Sequence, residues 1–179
     1  MNSRVPPQDE RADEGAAGAL WTFAVDLYQR PGVAEKCLAL QDRWGVDVPL
    51  LLFCLWLGAR RGVVLASSEL LEISASVRAW QTEIVTPLRE MRRRLKLGPG
   101  PAPTEETASL RERIKAVELD AERIELAFLE RLSIEKVWSE TSEPARHAAR
   151  RNLSVLLAEM NISEEVWSND GFGDIADAL

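Results

Sequence analysis

The sequence predicts an all-α protein, an irregular bundle of six or seven helices. Apolar residues recur at helical spacing in most segments, and no alternating pattern of useful length indicates a β-strand. Residues 50–57 have no polar face, which is typical of a helix that other helices enclose. We therefore expect residues 47–58 to form a fully apolar central helix around which the bundle packs.

Start and stop signals bracket this central helix. Asp47 can accept hydrogen bonds from the first free N–H groups, Pro49 is tolerated in a first turn, and Gly58 offers a left-handed stop. The run is about eight residues long, well short of the ~20 apolar residues that cross a bilayer. We expect no membrane span.

The other helices follow from apolar spacing. The first begins near Ala19 and ends before Pro31-Gly32, the second covers about 33–44, and a long fourth helix from Ser67 or Ser68 continues through a kink at Pro87. A fifth helix begins at Thr104 or Thr107 with a narrow seam of the coiled-coil type, and a sixth follows Ser142. The seam of the fifth helix comprises Leu110, Ile114, Val117, Ala121, Ile124 and Phe128.

The chain length of 179 residues suits one domain with a real core. Residues 1–15 are polar and predict a disordered tail, residues 16–168 a single helical domain, and residues 169–179 an acidic, glycine-broken tail. Within the domain, residues 98–103 contain three prolines and two glycines and predict a connector. A net charge of −7 argues against general nucleic-acid binding. No hydrophobic run precedes Ala16, so we expect a cytoplasmic protein.

A basic stripe is the strongest local signal for a site. Arg89, Arg92, Arg93 and Lys96 lie at i, i+3, i+4 and i+7, so an α-helix places them on one side, where like charges repel. One interpretation is a solvated stripe, or one paired with the chain's own surplus acids. The other is a binding site for an anion or an acidic partner.

Three carboxylates, Asp26, Asp42 and Asp47, lie in or beside the most apolar helices and are secondary candidates. Capping and ion pairs with nearby arginines would explain them, and an oxygen-ligated Mg²⁺ site is the functional alternative. With one histidine and two separated cysteines, a zinc site is not expected. The chain has no phosphate loop, no H-E-x-x-H and no C-x-x-C motif, so we expect no metal and no cofactor.

Several spaced motifs resemble a family of small bacterial proteins known only as a domain of unknown function. They occupy residues 23–28, 31–33, 37–42, 45–48, 50–53 and 55–58, followed by Trp80 and Pro87-Leu88-Arg89-Glu90-Met91-Arg92-Arg93. The resemblance covers about residues 20–97. It implies a cytosolic, helical bacterial protein and supplies no activity.

Two classes of function remain open. The first is a non-enzymatic interaction or regulatory protein that uses the basic stripe, and the absence of a recognisable catalytic cluster favours it. The second is a binder of a small anionic ligand, or an enzyme, with a pocket of carboxylates and arginines. The expected partner is an unidentified protein or anionic ligand, and the protein is expected to be a monomer or a homodimer.

Overall fold

The computed structural model describes residues 18–97, 104–138 and 141–179. The predicted all-α class is confirmed, since this part of the chain is helical and contains no β-strand. The tail expected at 1–15 and the connector expected at 98–103 lie outside the described residues. The described part holds more helices than the six or seven predicted, because a π-helical segment divides the long fourth helix and two short helices follow the last long one.

The helices follow one another with short links. They are α1 (Ala19–Tyr28), α2 (Val33–Trp44), α3 (Val48–Arg61), α4 (Ser67–Trp80), a π-helical segment (Gln81–Val85), α5 (Thr86–Leu97), α6 (Thr104–Glu135), α7 (Ala145–Glu159), α8 (Glu164–Asn169) and α9 (Asp174–Asp177). α3 packs most extensively against α7, and α5 packs along α6 as an antiparallel hairpin.

Helix α3 is the most completely buried helix, since every residue from 48 to 58 is shielded from solvent. The predicted cap is confirmed: an Asp47 carboxylate oxygen accepts a hydrogen bond from the Leu50 N–H at 3.2 Å. The predicted stop at Gly58 is wrong. The helix continues to Arg61, and the left-handed residue that ends it is Gly62, with φ of 59°.

Gly58 serves instead as the contact point between α3 and α7. A Cβ atom at this position would lie 2.3 Å from the backbone nitrogen of Ala149 and 2.5 Å from its Cα. Backbone atoms cannot turn away as a side chain can, so only glycine permits this close approach. The sequence signal for a helix stop was therefore a signal for helix packing.

We expect Gly58→Ala to destabilise the protein by more than the ~1–3 kcal/mol typical of an overpacked core, because the added methyl group meets backbone. Gly32→Ala is the matched control. Gly32 has φ of 79° and open space around it, so that variant carries only a conformational cost. Urea unfolding of both variants measures the difference, and a Gly58→Ala protein no less stable than Gly32→Ala would contradict the packing argument.

Residues 169–179 differ from the acidic tail predicted for them. Phe172, Ile175 and Ala176 are buried, and the ring of Phe172 meets that of Trp44 edge-on at 5.5 Å between centroids. The acids that suggested a solvated tail pair with cations of α2 and α7, as in the Arg43–Asp170 ion pair at 2.7 Å and the Arg150–Asp177 ion pair at 3.1 Å. The segment is held because its few apolar side chains reach the core while its charges find partners.

The long helical run through Pro87 is continuous, as the sequence predicted, although its local geometry was not foreseen. α4, the π-helical segment and α5 follow one another without a break from Ser67 to Leu97. Proline lacks the N–H that would bond to the preceding turn, and a π segment just before it accommodates this loss. No helix in the described residues is long and apolar enough to cross a membrane.

Candidate functional site

Charged side chains join α5 to α6. The Arg89 guanidinium donates to Glu118 at 3.0 Å and to Glu122 at 2.6 Å. Arg92 donates to both carboxylate oxygens of Glu118, at 3.1 Å through Nη2 and through a shorter contact from Nε. The side chains of Arg89 and Glu118 are only 10% and 7% exposed, so these ion pairs are largely removed from water.

The basic stripe is therefore not an open row of cations. Arg89 and Arg92 face α6, and Arg93 pairs with Asp42 of α2 at the surface. Lys96 is exposed and is the stripe member for which the described residues provide no ion pair. The sequence left open whether the stripe is solvated, paired within the chain or free to bind a partner. Arg89, Arg92 and Arg93 are paired with the chain's own acids.

Burial and ion pairing act in opposite directions on the two glutamates. Burial by itself would raise the pKa of Glu118, but hydrogen bonds from Arg92 and Arg89 outweigh it and hold that pKa below the ordinary value. At Glu122 burial prevails over the attraction of Arg89 and raises the pKa. The pKa values of the two glutamates therefore shift in opposite directions, although both side chains pair with Arg89.

A second acidic pair lies beside this ion-pair network, where Asp47 meets Glu125. Glu125 is 1% exposed, and one of its oxygens accepts a hydrogen bond from the Gln81 amide at 2.7 Å. Burial, followed by the negative charge of Asp47, raises the pKa of Glu125 to about 10. Its other oxygen has no donor among the described residues, so a proton held there can be donated to Asp47.

The three aspartates do not form one site. Asp26 is exposed on α1, Asp42 is exposed on α2, and Asp47 caps α3. In the described part of the chain no group of three or more histidine, cysteine, aspartate or glutamate side chains could hold a metal ion. Among the described residues the structure therefore offers no oxygen-ligated Mg²⁺ site built from these aspartates.

The sequence interpretation allowed for pairing between the stripe and the chain's surplus acids, but it did not identify which acids of α6 take part. It assigned Val117 and Ile124 to the buried seam, whereas Glu118 and Glu125 are buried and the two apolar residues are about half exposed. Apolar spacing cannot detect a carboxylate whose partner lies on another helix. A signal was available in the spacing of Glu118, Glu122 and Glu125, since acids at i, i+4 and i+7 match the arginines of the stripe on α5.

A groove of about 800 Å³ opens beside the ion-pair network, between α1, α2 and the start of α3 on one side and α6 on the other. Its apolar wall includes Trp21, Tyr28, Leu38, Leu52 and Leu126. Burial raises the pKa of the Tyr28 hydroxyl above its ordinary value, so this group stays a neutral hydrogen-bond donor. The volume lies within the range of pockets that hold drug-sized ligands.

The polar wall of the groove comes from α5 and α6. Arg92, Glu118 and Glu122 border it, so the ion-pair network is also a wall of the groove. Farther along α6, Arg111 and Lys115 share the single carboxylate of Glu112, at 3.1 and 3.9 Å. This end carries one excess positive charge.

The side chain of Arg111 is also incompletely paired. Its Nε atom is shielded from solvent and has no hydrogen-bond partner among the described residues. A ligand that supplies a hydrogen-bond acceptor to such a buried N–H gains binding free energy, because the N–H is otherwise unsatisfied.

Every residue that lines the groove falls inside one family match. A family model described as "Protein of unknown function (DUF2390)" matches residues 19–129, well over half of the chain. Comparison with curated proteins and with solved structures gives no match. The match extends beyond the residues 20–97 on which the sequence resemblance was based, and it takes in the acids of α6. The chain belongs to the DUF2390 family.

Proposed function

We propose that the protein is a binding protein for an amphipathic small anion, which it takes into the groove between α1, α2 and α6. The ligand has an apolar or aromatic body and one carboxylate or similar group. The observation that carries the proposal is the groove's division into an apolar wall with two aromatic side chains and a polar wall where Arg111 has an unpaired N–H.

The charge at one end of the groove supports an anion rather than a cation. Arg111 and Lys115 outnumber Glu112 there, whereas Glu118 and Glu122 farther along the wall are neutralised by Arg92 and Arg89. Guanidinium groups bind carboxylates through forked hydrogen bonds, which are stronger than neutral ones. Arg89 and Arg92 remain paired with Glu118 and Glu122, so the cations available to the anion are Arg111 and Lys115.

The internal pairing of the stripe favours this function over an interaction role for the stripe alone. A partner that used Arg89 would have to break an ion pair that is nearly removed from water, which is costly. The groove needs no such rearrangement, because its walls are already separated.

A pair of fluorescent probes tests the proposal. Anilinonaphthalene sulfonate carries an anionic group, and N-phenyl-1-naphthylamine has the same aromatic body without the charge. We expect the wild type to bind the anionic probe more tightly than the neutral one. Arg111→Gln should lower the affinity for the anionic probe about tenfold, because hydrogen bonds to charged groups contribute ~1.5–3 kcal/mol. The same variant should leave the affinity for the neutral probe unchanged.

Two further variants locate the binding. Ala116 lines the groove, so Ala116→Trp should fill it and weaken both probes. Arg131→Gln is the matched control, since Arg131 is exposed on the same helix but does not line the groove. If neither Arg111→Gln nor Ala116→Trp changes the probe affinities, the probes bind outside the groove and the proposal is refuted.

A further inference from the structure

Helix α6 carries a second apolar surface, on the side away from the groove. Leu110, Val117 and Ile124 recur every seven residues and are 44%, 51% and 54% exposed. Residues seven apart stay on one side of a helix, and this side is nearly opposite that of Arg111 and Lys115. The row is therefore a surface distinct from the proposed ligand site.

Helix α5 and the π-helical segment widen this surface. Met91 is 51% exposed and Ile84 is 38% exposed. The ion pairs between α5 and α6 fix the register of the hairpin, which brings Met91 to the level of Val117 and Ile84 to that of Ile124. We define the hairpin face as the exposed apolar side chains at these levels of the two packed helices: Ile84, Met91, Leu110, Val117 and Ile124.

The size of the hairpin face indicates that it binds a partner. The row on α6 alone is about 21 Å long at 1.5 Å per residue, and the second helix lies alongside it. Soluble monomers rarely expose large contiguous apolar surfaces, and those that do generally use them for binding.

Two charged residues beside the row indicate what that partner is. Arg113 and Asp120 are exposed, lie seven residues apart and make no ion pair within the described part of the protein. The midpoint between them falls next to Val117, the central residue of the apolar row. One positive and one negative charge placed evenly about the centre make the face complementary to itself.

We propose that the hairpin face binds the same face of a second copy of this chain, with the two α6 helices antiparallel. A two-fold axis near Val117 brings Arg113 of each protomer to Asp120 of the other, so the ion pair forms twice. A parallel arrangement, with its two-fold axis along the helices, would put the charged sides of the two rows at opposite edges of the interface and leave Arg113 and Asp120 unpaired. The charges select the antiparallel homodimer, and the apolar row supplies its buried centre.

Sedimentation equilibrium between about 1 and 100 µM tests the proposal, a range that covers Kd values near the micromolar level. We expect the wild type to be a dimer and Val117→Glu to be a monomer with an unchanged helical circular dichroism spectrum. Leu71→Glu is the matched control, because Leu71 is 50% exposed on α4, outside the hairpin face. A wild type that remains monomeric throughout this range overturns the proposal.

Charge reversal tests the antiparallel arrangement separately. Arg113→Glu and Asp120→Arg should each weaken dimerisation, because each places like charges in contact twice, and the double variant should restore it. Both residues are exposed, so these variants keep the fold even if Val117→Glu does not. The proposal is overturned if Val117→Glu still dimerises, or if neither single charge reversal weakens the dimer. Either result means that the dimer uses another surface or alignment.

Discussion

Replacing Arg89 by methionine is expected to destabilise the protein strongly, although Arg89 belongs to a stripe that the sequence places among surface candidates. Methionine keeps the length of the side chain and removes the charge, which leaves Glu122 buried without its cation. Breaking a buried ion pair by removing one partner typically costs ~3–5 kcal/mol. At about 2–4 °C per kcal/mol for a chain of this size, the melting temperature should fall by at least about 6 °C.

The matched control is Arg93→Met, about one helical turn away on the same helix. Arg93 and its partner Asp42 are 47% and 62% exposed, and exposed pairs contribute only ~0–1 kcal/mol. Adding Glu122→Gln to Arg89→Met should recover part of the loss, because it neutralises the carboxylate left unpaired. Equal melting temperatures for Arg89→Met and Arg93→Met would show that burial does not distinguish the two arginines.

Local signals predicted the helices correctly. Pro31-Gly32 separates α1 from α2, and Gly45 ends α2 in a left-handed conformation with φ of 70°, as its position after the last apolar residue indicated. Such signals act within a few residues, so the sequence displays them directly. The bounds of α1 and α2 and the cap at Asp47 were predictable for that reason.

Long-range contacts account for what could not be predicted. Gly58 looked like a helix stop, but its function depends on Ala149, which approaches it from α7. The sequence did not single out Glu118, but Arg89 and Arg92 reach it from α5. Periodicity describes which side of a helix is apolar and says nothing of which helix faces it. The groove follows from the same packing, so its walls could not be assembled from the sequence.

Replacing Glu125 by glutamine is expected to stabilise the protein, increasingly so as the pH rises. The folded protein keeps a proton on Glu125 because burial and Asp47 raise its pKa from 4.5 to about 10. The unfolded chain loses that proton near its ordinary pKa, so unfolding releases a proton between these two values. Below about pH 4.5 the protonation of Glu125 therefore costs the folded protein no stability. As the pH rises above this value, the free energy of unfolding falls by up to ~1.4 kcal/mol per pH unit for one proton.

Glutamine reproduces the protonated glutamic acid without needing a proton. Its amide oxygen can accept the hydrogen bond from Gln81 and its NH₂ group can donate to Asp47, so both contacts of Glu125 are retained. Melting curves at about pH 5 should nearly coincide for the two proteins, and at about pH 8 the variant should melt several degrees higher. Glu90→Gln, at an exposed position on α5, is the control and should follow the wild type. If Glu125→Gln and the wild type lose stability in parallel as the pH rises, Glu125 is ionised in the folded protein. The hydrogen bond that a protonated Glu125 would donate to Asp47 is then absent.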